Sequence, residues 1–118
     1  MTARDRALAD SEIQEALGSL PGWSRDGDAI QRTYRTDGWP HTLMAVNAIG
    51  YACEAGFHHP DLFVSWGEVR VRLWTHTASG ITAKDFEMAR LIDRVLLQVP
   101  DKGSVLTGPP EPLIKPAR

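Results

Sequence analysis

The sequence lacks the features that mark several large classes of protein. It has a single cysteine, Cys53, among 118 residues, which excludes an intramolecular disulfide. Positive charge is not in excess, because 13 basic residues face 15 acidic ones and the formal net charge is -2. A chain with this balance has no field that attracts a phosphate backbone. Nucleic acid is therefore not the expected direct ligand.

Long hydrophobic runs are missing as well. The longest, such as residues 95–97, fall far short of the roughly 20 residues that cross a bilayer, which excludes membrane insertion. The N-terminus does not combine a basic region with an apolar stretch and a cleavage site. Together with the lone cysteine, these absences favour a reduced, cytoplasmic protein.

The length and composition are those of one soluble domain. A chain of 118 residues with 42% hydrophobic and 24% charged residues is long enough to build one core. We expect this domain to span residues 1–100. Prolines and glycines then argue against regular structure, so residues 101–118 are expected to form an irregular tail, with Leu113 and Ile114 as candidate anchors.

Local patterns predict the order helix, two strands, helix, two strands, helix. Capping-box spacings open the first and last helices, at Ser11 with Gln14 and at Thr82 with Asp85. Gly56 is expected to end the second helix in the left-handed conformation. The expected ranges are 10–17, 29–36, 41–55, 62–66, 68–75 and 82–99, with a short additional strand that contains Trp23 and is closed by the turn at residues 26–28. This order predicts an α+β domain in which a four-stranded antiparallel sheet carries three helices on one face.

Three of the four histidines surround one segment. His58 and His59 are adjacent, and His76 follows seventeen residues after the second of them. Imidazole has an unperturbed pKa of about 6.5, so one copy can donate a proton at neutral pH while another accepts one. A histidine of this kind is more often structural or merely exposed, but Glu54 lies at helical spacing from His58 and would orient its imidazolium form. The cluster therefore indicates acid/base chemistry.

Other kinds of site remain open at this point. Possible metal ligands are His58, His59, His76, Glu54 and Asp61, although adjacent histidines followed by proline lack the spacing of zinc signatures. Cys53 lies among small residues in a predicted helix and is expected in the core, not as a nucleophile. Each tryptophan is more often core or interface than a platform for a flat ligand. Exposed positions without a site role are expected for Arg70, Arg72 and His41.

The polar residues of this region also resemble a known signature, that of the pterin-4a-carbinolamine dehydratases. In chain order the residues that carry the resemblance are Glu54, His58, His59, Pro60, Trp66, His76 within the segment 75–80, and Asp85. The motif is specific because it fixes several polar types at definite spacings. The resemblance runs from about Trp23 to Val99 and includes the order of the elements.

The resemblance implies an enzyme that removes water from 4a-hydroxytetrahydropterin and so takes part in tetrahydropterin recycling. It implies no metal or organic cofactor. His58 and His76 match the family's acid/base histidines, and Glu54 matches its supporting carboxylate. Substrate-binding positions are matched by His59, Trp23, Pro60, Asp61 and Thr75. Asp85 matches the aspartate after the third histidine, in a structural role.

The resemblance also implies a homodimer or homotetramer. Two adjacent apolar rows on the last predicted helix fit this independently, because they are wider than the stripe that one sheet contact buries. Phe57 and Leu62 depart from the family pattern, which leaves the preference for the pterin side chain open. Relatives include partner-binding proteins, so the alternative is a non-catalytic assembly or partner-binding protein on the same fold. The retained histidines favour the enzyme.

Overall fold

The computed structural model describes residues 5–116 and confirms the predicted fold class. The helices are α1 (Asp10–Leu17), α2 (Trp39–Gly56) and α3 (Ala83–Leu96). The strands are β1 (Ser24–Asp26), β2 (Ala29–Arg35), β3 (Asp61–Ser65) and β4 (Glu68–Leu73). The strands form one antiparallel sheet in the order β1-β2-β4-β3, so the two central strands are those with the longest pairing.

The core lies between the sheet and the helices. Val69, Val71 and Leu73 alternate along β4 and are fully buried, while the residues between them are partly exposed. This alternation follows from the two-residue period of a strand, which sends successive side chains to opposite faces. Ile49 of α2 and Ile92 of α3 belong to the same buried cluster. The sheet thus buries one face against the helices.

Helix α2 ends differently from the sequence prediction. Gly56 was expected to adopt the left-handed conformation, but it is the last helical residue, and Phe57 takes that conformation instead, at φ 53° and ψ 48°. A Cβ atom on Gly56 would lie 2.7 Å from Cε of Met88, so that the end of this flexible side chain would have to move aside. The glycine thus leaves room for Met88 of α3, and the left-handed turn falls to the next residue.

The predicted capping box is wrong for α1 and correct for α3. Ser11 does not cap α1; the carboxylate of Glu12 accepts from the backbone N–H of Ala9 at 3.0 Å, because the helix already begins at Asp10. The capping box of α3 is confirmed. Thr82 accepts from the N–H of Lys84, and the Asp85 carboxylate accepts from the N–H of Thr82 at 2.9 Å.

The segment after α3 runs back across the helices to the end of β2. Its anchor is Lys115, whose backbone N–H donates to the carbonyl of Arg35 at 2.8 Å and whose ammonium pairs with Asp37 at 2.7 Å. Ile114 packs against the core, whereas Leu113 is 40% exposed. A cavity of about 830 Å³ lies between this segment, α2 and the end of α3.

Residues 1–4 and 117–118 of the predicted domain and tail lie outside the described residues.

No helix within residues 5–116 combines the length and the hydropathy needed to cross a membrane.

Candidate active site

The end of α2 places His58 against a buried carboxylate. The left-handed Phe57 turns the chain so that the N–H of His58 donates to the carbonyl of Cys53 at 3.0 Å, which fixes the backbone. Nε2 of His58 then lies 2.7 Å from Oδ1 of Asp85, in the first turn of α3. Since a carboxylate accepts, the Nε2–H donates, and Nδ1 is left as the nitrogen that can exchange a proton.

The Asp85 carboxylate is completely buried and has a partner on each oxygen. Its Oδ2 accepts from the Thr75 hydroxyl and from the Thr82 N–H, both at 2.9 Å. The hydroxyls of the two threonines are themselves 2.7 Å apart. A buried carboxylate needs such donors, because an unpaired one would be strongly destabilising. The network consequently holds the His58 ring in one orientation.

The same network fixes the loop that carries His76. Thr75, the donor to Asp85, directly precedes this histidine and pairs with Gly80 through backbone hydrogen bonds of 2.9 and 3.3 Å. His76 begins a 3₁₀ turn that spans His76–Ala78 and is not predicted by the sequence patterns. Asp85 therefore ties the two histidine-bearing segments to one end of α3.

His76 itself is exposed and stacks on a tryptophan. Its ring lies nearly parallel to that of Trp74, with centroids 3.9 Å apart and planes 20° from each other. The Trp74 indole N–H donates weakly to Asp61 at 3.4 Å, across to the start of β3. Pro60 joins Asp61 to His59 in the chain. Asp61 is thus linked to His76 through Trp74, and Thr75 to His58 through Asp85.

Glu54 contacts a different histidine from the one that the spacing predicted. Helical geometry would bring Glu54 to His58, four residues later, but Oε1 of Glu54 lies 2.8 Å from Nε2 of His59. The left-handed Phe57 breaks the helical spacing before either histidine, so the side chain five residues on is the one that meets the carboxylate. His58 and His59 thereby have separate acidic partners. Both members of the Glu54–His59 pair are exposed.

Trp23 lies in another part of the molecule. Its indole N–H donates to the carboxylate of Asp93 at 3.1 Å, its ring packs edge-on against Tyr34, and only 6% of the residue is exposed. Asp93 follows Asp85 by eight residues on α3, which is about 12 Å along a helix. None of the hydrogen bonds or ring contacts of Trp23 within residues 5–116 reaches the histidines. Substrate contact by Trp23 stays a prediction.

The sequence reasoning missed the cluster around Asp93. Arg32 donates to this carboxylate at 3.1 Å, and the Tyr34 hydroxyl also donates to it. Burial and the Asp93 carboxylate raise the pKa of Tyr34 well above its usual range. One sequence signal was available: Asp93 stands four residues after the buried Ala89, and so lies on the inner row of α3. The cluster clamps α3 to the sheet.

The remaining candidate residues have ordinary surroundings. Burial raises the pKa of the Cys53 thiol to about 11, so it carries its proton at neutral pH, as a core cysteine does. Within residues 5–116 no three His, Cys, Asp or Glu side chains are grouped as ligands of one metal ion. Arg70, expected on a solvated face, places its guanidinium over the Phe63 ring at 4.2 Å. His41 is half-buried at the start of α2.

Comparisons with known proteins cover the region that contains this site. The family model described as "Pterin 4 alpha carbinolamine dehydratase" matches residues 6–95. Two bacterial relatives carry the name "Putative pterin-4-alpha-carbinolamine dehydratase". The one from Aquifex aeolicus is 42% identical over 94 residues, 80% of this chain and 95% of the relative. The one from Roseiflexus sp. strain RS-1 is 40% identical over 89 residues, 75% of this chain and 96% of the relative.

A solved structure extends the likeness to three dimensions. The structure described as "transcriptional coactivator/pterin dehydratase from Brucella Melitensis" has a TM-score of 0.72 and 30% identity, covering 76% of this chain and 98% of that chain. The family match runs through both histidine segments and Asp85, and it stops before the irregular segment that follows α3. On fold and sequence alike, this chain belongs to the pterin-4a-carbinolamine dehydratase family.

Proposed function

We propose that this protein removes water from 4a-hydroxytetrahydropterin, giving quinonoid dihydropterin, in the recycling of tetrahydropterin. The observation that carries the proposal is the position of Asp85. This buried carboxylate binds His58 and also, through Thr75, the loop of His76. The segments that carry two imidazoles from distant parts of the chain are thereby held at one end of α3.

The chemistry of the reaction calls for two such groups. The C4a–O bond breaks and the hydroxyl leaves as water, which requires a proton at that oxygen. The proton on N5 is removed, and its electron pair forms the double bond between N5 and C4a. One group must therefore arrive protonated and another neutral, and histidine can be either near pH 7.

His58 and His76 are the pair that exchanges these protons. Nε2 of His58 is occupied by Asp85, so Nδ1 faces the reaction, and the ring cannot turn without losing that hydrogen bond. His76 is open to solvent and supported from one side by the Trp74 ring. A fixed ring and an accessible ring together suit a reaction in which one proton is taken and another is delivered.

His59 holds the pterin, and Glu54 orients His59. Their contact of 2.8 Å occupies Nε2 of His59 and leaves its Nδ1 for the substrate. Glu54 thus acts through His59 and not through His58. Pro60 and Asp61 complete the binding surface beside His59, and the buried Thr75 supports binding by holding the His76 loop through its hydrogen bond to Asp85. Trp23 is proposed to support substrate binding from the sheet side.

Direct measurement of the reaction tests this proposal. The 4a-hydroxypterin is generated in solution and its loss is followed by absorbance, with and without the protein. We expect the wild-type protein to accelerate the loss, and His76→Ala to lower the rate at least about tenfold because a proton-transfer group is removed.

His41→Ala is the matched control. It also removes a histidine, but one that lies at the start of α2 outside the candidate site, so its rate should equal that of the wild type. A wild-type rate no faster than buffer contradicts the proposal and leaves the partner-binding alternative. If His76→Ala and His41→Ala lowered the reaction rate by the same factor, the assay would not be reporting on the candidate site.

A further inference from the structure

Phe57 adopts a backbone conformation that does not suit it. Its φ of 53° and ψ of 48° lie in the left-handed region, where glycine or asparagine normally ends a helix. A bulky residue in this region is a genuine outlier, because its Cβ crowds the backbone. The turn is required, since it directs His58 and His59 away from the helix. The turn does not require a phenylalanine, because glycine or asparagine adopts the left-handed conformation more readily.

Packing of the protein core does not account for the phenyl ring either. Phe57 is 78% exposed, so the ring contributes little hydrophobic burial to folding. Its one ring contact in the described part of the chain is an edge-on packing against His59, with centroids 5.2 Å apart and planes at 82°. An exposed, strained aromatic beside a candidate site is the kind of outlier that points to function.

The geometry of a pterin brings its variable part to this place. The proposed reaction occurs at C4a and N5, and C6, which carries the substituent that differs between pterins, is bonded directly to N5. A substituent on C6 must therefore leave the ring system next to the histidines that surround N5. Phe57 packs on one of these histidines and projects into solvent beyond it.

We propose that Phe57 is a specificity residue that selects tetrahydropterins with a short apolar substituent at C6. This inference rests on the proposed function. The phenyl ring offers no donor or acceptor, so a hydroxyl group that is pressed against it loses water without a replacement hydrogen bond. A methyl group meets no such loss and gains contact with the ring face or edge. Polyhydroxylated substituents are thus disfavoured.

The test compares kcat/KM for two substrates, one with a 6-methyl group and one with a 6-dihydroxypropyl group. We expect the wild type to prefer the methyl substrate by about tenfold. Phe57→Asn should bring the ratio close to one, because asparagine tolerates the left-handed conformation and can hydrogen-bond to hydroxyls. Phe57→Leu should keep most of the preference, since it stays apolar, and serves as the second variant if the first folds poorly.

Tyr51→Asn is the matched control, because Tyr51 is an aromatic residue of α2 with a similar exposure of 79%. Its substrate ratio should equal that of the wild type. An unchanged ratio in Phe57→Asn, with the wild type active, overturns this inference and leaves the proposed function intact. A wild type that is inactive on both substrates overturns the proposed function and this inference with it. A change of mass in solution with an unchanged ratio assigns the ring to a subunit contact and also overturns the inference.

Discussion

Helix α3 carries a carboxylate cluster at each end, and the two clusters differ in what they hold. At the start, Asp85 accepts from the Thr75 hydroxyl, the Thr82 backbone N–H and Nε2–H of His58. Near the end, Asp93 accepts from an indole, a guanidinium and a phenol, those of Trp23, Arg32 and Tyr34. Both carboxylates lie on the inner side of one helix, and both are satisfied by several donors. Donor number does not distinguish them, and burial does so only in degree, because the Asp85 side chain is fully buried and that of Asp93 is 18% exposed.

The two clusters differ in whether a side chain bound to the carboxylate can gain and lose a proton near neutral pH. Imidazole gains and loses a proton near neutral pH, whereas indole, guanidinium and a buried phenol keep theirs. Exposure of the group that is held does not separate the clusters, since the side chains of His58 and Arg32 are both 14% exposed. In the proposed function the Asp85 cluster therefore moves a proton, while the contacts of the Asp93 cluster hold α3 against the sheet. The function of a buried carboxylate is set by the group that it orients.

Asp85→Asn should have the largest effect and should act on activity. The amide cannot serve as an anionic acceptor for His58, and its NH₂ group faces donors from Thr75 and Thr82. We expect kcat to fall by about 10²-fold or more, and the shape of the pH–rate profile to change, because the ring loses its orienting charge. The absorbance assay at several pH values measures both. A variant that keeps more than a third of the wild-type rate would remove the functional distinction between the two clusters.

Asp93→Asn, the same substitution at the other cluster, should act on stability. It leaves Arg32, whose side chain is only 14% exposed, without its ionic partner. We expect a loss of about 1 to 3 kcal/mol in the free energy of unfolding, and kcat within about threefold of the wild type in the folded protein. Urea unfolding measures the first quantity and the absorbance assay the second. A large loss of kcat with normal stability would place Asp93 in the catalytic machinery.

Tyr34→Phe should have the smallest effect, with a defined pH dependence. Burial and Asp93 raise the pKa of Tyr34, so its stabilisation is fully present below the unfolded-state pKa of about 10 and is lost as the pH rises above it. The wild type should exceed the variant by about 1 kcal/mol at pH 8, and this advantage should shrink by about 1.4 kcal/mol per pH unit above pH 10.

Urea unfolding of both proteins at pH 8, 10 and 11 tests this expectation. Because all other titrating groups are shared, the difference between the two proteins isolates Tyr34. An advantage that stays constant up to pH 11 would show that folding does not raise the pKa of Tyr34, and hence that its hydroxyl is neither buried nor bound to Asp93 in solution. That result would remove Tyr34 from the Asp93 cluster and leave the Trp23 indole and the Arg32 guanidinium as the donors to Asp93.

The order of the elements was predictable because it depends on local patterns. Alternation in β4 and the apolar row of α2 have the periods of a strand and a helix, and these periods follow from backbone geometry. The Thr82–Asp85 spacing also located the start of α3 correctly. The same spacing gave no sign that the other oxygen of Asp85 binds His58, because that partner comes from a different helix, 27 residues away in the chain.

The errors arise where tertiary contacts overrule local preference. Gly56 has the strongest local preference for the left-handed turn, yet it stays in the helix, facing Met88 of α3, and the strained conformation passes to Phe57. The partner of Glu54 changed for the same reason, since one shifted turn moved His59 into the place predicted for His58. A displacement of one residue at a helix end is thus enough to reassign a carboxylate.

The sequence by itself determined the candidate residues for the chemistry, the order of the helices and strands, and the family, since each of these is encoded in residue types at short, fixed spacings. Only the tertiary structure decided which carboxylate holds which histidine, and that Trp23 belongs to the clamp at Asp93. These pairings join residues that are distant along the chain. They depend on how closely α2 and α3 pack on each other and on the sheet, and no local pattern contains that information.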